Sequence, residues 1–409
     1  MIAGVRDFFE SVSALPAYHW ALRFFVFYPV WSALVWVTMA IFYHWRRERR
    51  EHLERREHVD ISAFLPPVSV LIRADRNIVR TLAWATEIDY PDFEVVVIED
   101  GASERVREMV LPYVHEGSVR LVTKDTDEGK ATALNDALPC LRGDIVLMLE
   151  SGACPDAHIL RRMVPHFRSA RVAAVIGNPR VANRVSFLAQ LQLIELSSVV
   201  SLLHRAQRVW GRLLGVPGMV TAYRKSSLLD VGLYGPHMET EDVEMIWRLQ
   251  SAAYDVRYEP RAYVWTRVPA DAVGVWRHRR RRAAGLAQTL VAHARDLVTW
   301  CTRRLWPVYV EAALSILWAY CCAGLVAFWI LSYAIGVPPA GASPLPNWSA
   351  MMLATLCLTQ IVTGLALDSR YDRSVLRALP LAVAFPLLWV VHAFATALAT
   401  PAGLARSTR

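Results

Sequence analysis

The chain has 409 residues, is 54% hydrophobic with 15 Trp, and carries a formal net charge of +8. That length holds one sizeable domain plus further elements, and so apolar a composition excludes an ordinary soluble protein of this size. The six cysteines lack zinc-site spacing and read as reduced packing residues, and no basic module interleaved with aromatic residues points to nucleic acid.

Residues 1–23 form a short segment ahead of the first apolar run. Phe24 to Tyr43 is 20 residues without a charge, enough to span a hydrocarbon core of about 30 Å. It is too long and too aromatic for a secretory signal, and no small-residue cleavage site follows. The next stretch, HWRRERREHLERREH, supplies Arg46, Arg47, Arg49, Arg50, Arg55 and Arg56. By the positive-inside rule, residue 44 onward lies in the cytoplasm and residues 1–23 outside. The positive charge sits largely in such juxtamembrane arginines, which suits a lipid bilayer with anionic headgroups.

Residues 44–65 thus read as a basic cytoplasmic linker, ended by Pro66-Pro67. Residues 66–300 read as one α/β domain. Strand patterns at Val68–Ile72, Phe93–Ile98, Val119–Val122 and 144–149 alternate with helical ones at Arg80–Thr86 and Lys130–Leu141. That alternation predicts a parallel sheet with sites at the strands' carboxyl ends, where Asp100 and Glu150 fall. Residues 301–409 form a C-terminal membrane region with apolar runs at 312–335, 348–367 and 378–400. Counting all the runs as spans puts the C-terminus outside, but Pro380 and Pro386 leave the last run open to a re-entrant or interfacial reading.

Four features carry candidate chemistry. Asp100-Gly101 puts a carboxylate at a strand end, suited to a nucleobase or ribose, though Asp-Gly is also plain turn chemistry. Gly129-Lys130 at a helix start brings a cation and backbone N–H groups to a phosphate, without the Walker spacing of an NTPase. Glu239 to Glu244 holds four carboxylates in six positions, including Glu241 and Asp242. These either meet a helix dipole or provide a general base for an attacking sugar hydroxyl. Arg277 to Arg282 holds five Arg and His278 in six positions. Contact with lipid headgroups and binding of an anionic ligand are its two readings.

This order of parts resembles the processive, membrane-embedded family 2 glycosyltransferases, and among them most the bacterial poly-β-1,6-N-acetylglucosamine synthases. The resemblance is carried by GKATAL at 129–134, GNPR at 177–180, LSSVVSLLHRAQRVWG at 196–211, PGMVTAYRKSSL at 217–228, TEDVEMIWRLQ at 240–250, YEPRAYVW at 258–265 and RLWPVYVEAALSILWAY at 304–320. It implies an α/β fold: a cytoplasmic GT-A (Rossmann-like) domain with about four transmembrane helices and amphipathic interface helices, in a bacterial inner membrane. It also implies a UDP-sugar donor, Mg2+ or Mn2+, and a β-linked polysaccharide exported between the membrane helices. Position by position, Asp100, Lys130, Glu150 and Arg281 resemble donor-binding residues. Asp242, with Glu241 beside it, resembles the catalytic base. His278, Arg279, Arg280 and Arg282 fall in the segment facing the acceptor or a donor anion. A small membrane subunit, a second synthase and cyclic di-GMP are the partners that the resemblance brings into view.

Three departures from the family's pattern matter. Its Asp-x-Asp is Glu150-Ser151-Gly152 here, which leaves Glu150 alone as a metal ligand. Its Gln-x-x-Arg-Trp corresponds to His278 through Arg282 and matches only at Arg281. The loop after the first strand, Asn- and Glu-rich in the family's pattern, reads Arg73-Ala74-Asp75-Arg76 and is shortened. Losing ~3 kcal/mol of metal stabilisation in the transition state slows transfer about a hundredfold. Two functions follow as expectations. One is a transferase adding a hexose, N-acetylglucosamine by resemblance, to a growing polysaccharide. The other is a catalytically degenerate relative that acts as a partner or regulatory subunit of a synthase complex.

Overall fold

The computed structural model describes residues 2–48, 64–101, 104–124, 126–215, 220–337 and 348–407. Most of the basic linker, most of the segment at 336–347 and the start of the 217–228 motif lie outside the described residues.

Eight strands organise the middle of the chain. They are β1 (Val68–Arg73), β2 (Phe93–Asp100), β3 (Arg120–Lys124), β4 (Ile145–Leu149), β5 (Cys154–Pro155), β6 (Val172–Val181), β7 (Val220–Arg224) and β8 (Asp255–Thr266). They form one sheet in the order β3-β2-β1-β4-β7-β6-β8-β5. The strands β1 to β4 make the expected parallel set. Beyond them the sheet is mixed, because β7 runs antiparallel to β4 and β6, and β5 antiparallel to β8. The chain leaves β6 for the apolar segment Phe187–Trp210 before returning as β7, so no βαβ crossover fixes a parallel direction there.

Side chains alternate across the parallel strands. Val70, Ile72, Val95, Val97 and Leu147 pack on Ile78 and Leu82 of the helix Ile78–Ala85. Leu71, Val96, Val146 and Met148 face the helices Lys130–Ala137 and Glu241–Ser251 through Leu134, Ile246 and Trp247. Val308 and Ala312 of the apolar helix Trp306–Ile335 enter the same core. Domain and apolar helices therefore share one interior.

Five helical stretches among the described residues are long and apolar enough to cross a membrane: Pro16–Glu48, Phe187–Trp210, Thr302–Ile335, Met351–Asp368 and Arg373–Arg406. The run read at 24–43 belongs to one longer helix, Pro16–Tyr43. The run read at 378–400 is broken. It begins in a 3-10 helix, Arg373–Ala384, and becomes α-helical only over Phe385–Ser407. Pro380 and Pro386 lack the N–H groups that a continuous α-helix needs there. Phe187–Trp210 adds a stretch that the sequence did not single out as a span; it is 67% buried inside the protein.

A buried ionic network ties these helices to the sheet. Arg205 pairs with Glu48 at 2.7 Å and with Asp368 at 2.9 Å. Arg180, on β6, lies 3.0 Å from the other oxygen of Asp368, an ion pair without hydrogen-bond alignment.

Candidate active site

A cleft opens at the carboxyl edge of the parallel strands. Arg73, Asp75, Lys130, Glu150, Ser151 and Asp242 line it, over a floor of Leu71, Met148 and Leu149. Parallel register creates it: Ile72 lies opposite Leu149, so the residues just past β1 and β4 emerge side by side. Gly129, at φ +90°, turns the chain into the helix that starts with Lys130.

Lys130 Nζ sits 2.5 Å from Glu241 Oε1 and 3.0 Å from Asp242 Oδ2. Both carboxylates are buried at the start of the Glu241–Ser251 helix. Burial pushes the Asp242 carboxyl up to about 6; Lys130 opposes that shift and the Glu241 charge adds to it. Burial acts upward on Glu241 too, but the Lys130 ammonium outweighs it and leaves that carboxyl below the ordinary range. Lys130 itself stays protonated, because Asp242, Glu241 and Glu150 together overcome its desolvation.

Glu150 is solvent-accessible yet crowded by the cleft walls. Desolvation raises its pKa, Lys130 opposes this and Glu241 reinforces it. The adjacent Ser151 hydroxyl donates to Asp75 Oδ1 at 2.5 Å, which also accepts from the Asn77 amide at 2.6 Å. The carboxylate held beside Glu150 therefore comes from the loop after β1, not from β4. Among the described residues, no group of three His, Cys, Asp or Glu side chains is placed to hold a metal by itself. The Asp75–Glu150 pair does fit an ion of the Mg2+ type, which proteins commonly hold through one or two carboxylates together with substrate phosphates.

Asp100 ends β2 with its side chain fully buried. Arg73 grips its Oδ2, with nitrogens at 3.0 and 2.9 Å, while Oδ1 is buried without a hydrogen-bond partner. Burial raises the Asp100 pKa and Arg73 opposes it.

The arginine run lies on the helix Ala272–Ala292, and a period of about 3.6 residues sends its members to different places. Arg281 donates to the Glu239 carbonyl at 3.2 Å, and its charge reaches Glu150 and Glu241. Arg279 is buried and pairs with Glu195 at 2.6 Å. Arg282 lies beside them, facing a second cavity. His278 is pushed down to about 4 by burial and by the Arg282 charge, so it is neutral at pH 7. Arg280 is exposed. The structure thus gathers Glu241, Asp242, Lys130 and Glu150 in one cleft with Arg281 at its edge. Asp100 is joined to that cleft through Arg73, and Arg280 stands apart.

The second cavity, of about 240 Å3, lies between this helix and the apolar helices, with Thr240, Val243, Arg279, Arg282, Glu311 and His392 in its wall. Asp242 lines the cleft while Thr240 and Val243 line the cavity, so one helix N-terminus divides the two spaces. Gly285 packs against that divide. A Cβ there would lie 2.3 Å from Thr240 Oγ1 and 2.8 Å from Thr240 Cβ. Gly285→Ala is therefore expected to displace Thr240 and the start of its helix, at a cost of ~1–3 kcal/mol for overpacking. Thermal unfolding and an initial-rate assay on the same preparation check this; both should fall.

Arg73, Asp75 and Glu311 were not anticipated as site residues. For the first two the signal is charge placed directly after a fully buried strand. For Glu311 it is a carboxylate one position before the apolar run at 312–335, where an ionisable residue is a functional candidate by default.

A sheet of this order, with a strand-end cleft walled by a carboxylate-bearing helix start and with apolar helices packed beneath, defines a GT-A type glycosyltransferase. Residues 66–285 match the glycosyltransferase like family 2, and the chain belongs to that family. It is 27% identical over 402 residues to the poly-β-1,6-N-acetyl-D-glucosamine synthase of Staphylococcus epidermidis, covering 94% of this chain and 95% of that one. The synthase of the same name from Staphylococcus aureus is 27% identical over 398 residues, with the same coverage. A mannosyltransferase from Pyrobaculum calidifontis, solved in complex with GDP-Man and Mn2+, shares the fold with a TM-score of 0.62 at 20% identity, over 92% of this chain and 99% of that one.

Proposed function

We propose that the chain transfers N-acetylglucosamine from a UDP-sugar to a growing β-linked polysaccharide and passes the product between its apolar helices. The observation that carries this reading is the position of Asp242, in the wall between a strand-end cleft and a largely apolar cavity that borders those helices. A donor in the cleft and an acceptor reaching from the cavity would meet at that carboxylate.

In this reading Asp242 takes the proton of the attacking acceptor hydroxyl, and UDP leaves from the anomeric carbon. Asp100 Oδ1 accepts from the base, with Arg73 fixing the carboxylate. Lys130 and Arg281 bring positive charge to the diphosphate. A phosphate that draws Lys130 away from Asp242 makes Asp242 a stronger base, which couples donor binding to proton transfer. Glu150 and Asp75 would hold a divalent ion, whose chemistry is to offset charge on the leaving diphosphate. The arginines after the first helix support a cleft on the cytoplasmic side of a bacterial cell membrane.

Two measurements bear on this. Asp75→Asn is expected to weaken Mn2+ binding in the presence of UDP by about tenfold or more, as loss of a ligand or its orienting partner does. Asp156→Asn, at a carboxylate that pairs with Arg162 at 3.0 Å and does not line the cleft, should leave it unchanged, and electron paramagnetic resonance of free Mn2+ reads both. For the activity itself, membranes of a host without its own synthase, given only this chain and labelled UDP-N-acetylglucosamine, should accumulate labelled polymer. No label above that of host membranes alone would refute the reading.

A further inference from the structure

The last apolar stretch, Arg373–Arg406, meets the sheet domain at both of its ends. At its start, Arg184, just past β6, donates to Asp372 at 2.5 Å. The Tyr371 ring lies 6.0 Å from the ring of Tyr263 on β8. At its end, Arg406 pairs with the carboxylate of Glu239, three positions before Asp242. Backbone packing holds that end in place. A Cβ on Gly403 would lie 2.5 Å from the Ala284 carbonyl oxygen of the helix Ala272–Ala292, and Ala399 packs with Ala283 and Ala284. Gln288 of the same helix accepts from the Glu239 amide at 2.9 Å. The end of the Phe385–Ser407 helix is thus seated at the cleft's edge.

Glu239 joins this helix end to the cleft. Arg406 takes one oxygen of its carboxylate, and Arg281 lies 3.6 Å from the other. Arg281 is the member of the arginine run whose charge reaches Glu150 and Glu241. A carboxylate divided between two guanidinium groups neutralises neither completely. Without Arg406, the whole charge of Glu239 would fall to Arg281, which is 60% exposed and can turn toward it.

We infer that Arg373–Arg406 enters and leaves on the cleft side of the membrane without crossing it, and that Arg406 is a positioning residue for the donor. By sharing Glu239, it leaves Arg281 available to the diphosphate. The reversal of direction falls in the 3-10 helix Arg373–Ala384. Its Val375, Ala378 and Ala382 pack on Ala189 and Leu193, so protein surrounds the irregular backbone there. The count of spans that puts the C-terminus outside is reversed by this inference. What Arg281 contacts rests on the transferase reading above; the course of the helix does not.

The test has two arms. In the first, the full-length protein in detergent is titrated with UDP and Mn2+ by calorimetry. Arg406→Ala should bind UDP about two- to fivefold more weakly, the range that an exposed ion pair commands. KM for the donor should rise by the same factor with kcat unchanged, and Arg406→Lys should restore most of the loss. Adding Glu239→Gln to Arg406→Ala should return the affinity to that of the wild type, because the charge that draws Arg281 away is gone. A helix end that merely packs would leave the double variant no better than the single one. In the second arm, a fluorescent protein fused after Arg409 in a bacterial host should fluoresce, and alkaline phosphatase fused there, which needs the disulfides of an oxidising compartment, should be inactive. Active phosphatase without fluorescence overturns both parts of the inference. Unchanged UDP affinity in Arg406→Ala, or a double variant as weak as the single one, overturns the role of Arg406 alone. If Arg406→Ala loses UDP binding altogether, the protein is misfolded and the double variant decides. Failure of the wild type to bind UDP overturns the transferase reading and the role of Arg406 with it, while the fusions still decide the course of the helix.

Discussion

Replacing Asp242 by Asn is expected to slow sugar transfer by at least about a hundredfold, the lower end of what a positioned general base contributes, while UDP affinity is retained. The wild-type kcat/KM for the donor, which reports the free protein, should climb as pH rises through about 6, where Asp242 loses its proton, and level off above it. The Asn variant should lack that rise. Stability should not fall with activity. A carboxyl whose pKa is raised on folding holds its proton more tightly in the folded chain, so its favourable contribution is present at low pH and lost as pH rises through about 6. An amide that never ionises avoids that loss, and Glu241 keeps Lys130 paired at 2.5 Å. Initial rates across a pH series, with thermal unfolding at neutral pH, check all of this. A variant that transfers at close to the wild-type rate would move the base elsewhere, with Glu241 next in reach.

The second large effect lies away from the cleft. Asp368→Asn should destabilise the protein by about 3–5 kcal/mol, the usual cost of leaving buried charge without its partner. Asp368 is shared by Arg180 and Arg205, and all three side chains are at most 3% exposed. After the substitution Arg205 keeps Glu48 at 2.7 Å, but Arg180 keeps no ion pair among the described residues. Adding Arg180→Met should therefore recover part of the loss. Thermal unfolding in detergent reads both variants. An Asp368→Asn protein as stable as the wild type would show that the network is solvated rather than sealed.

The parallel half of the sheet was readable because its strands are short, apolar runs ended by charge. Val68–Ile72 is apolar except at Ser69, and Ile145–Leu149 is a continuous hydrophobic stretch, as a strand buried on both faces requires. The antiparallel β7 was not readable, since its direction is set by a long excursion through Phe187–Trp210 and not by its own residues. Within the site, each candidate carboxylate could be found by its place at a strand or helix end. Their assembly could not. Lys130 and Asp242 are 112 positions apart in the chain and meet only through the packing of two helices on one sheet face. The partnership of Asp75 with Ser151 depends on β1 and β4 being neighbours, which no local pattern reveals. The arginine run shows the converse. Six consecutive residues look like one patch in the sequence, yet a helix sends Arg279 to Glu195, Arg281 to the cleft edge and Arg280 to solvent.

With Glu150 as the carboxylate just past β4, this chain should itself be a sugar transferase. The most direct measurement is transfer of labelled N-acetylglucosamine from the UDP donor by the purified full-length protein, reconstituted in lipid vesicles with Mn2+ and no other polypeptide. Labelled polymer from the wild type, and none from Asp242→Asn, is the predicted result. UDP binding by the wild type with no polymer formed would contradict it.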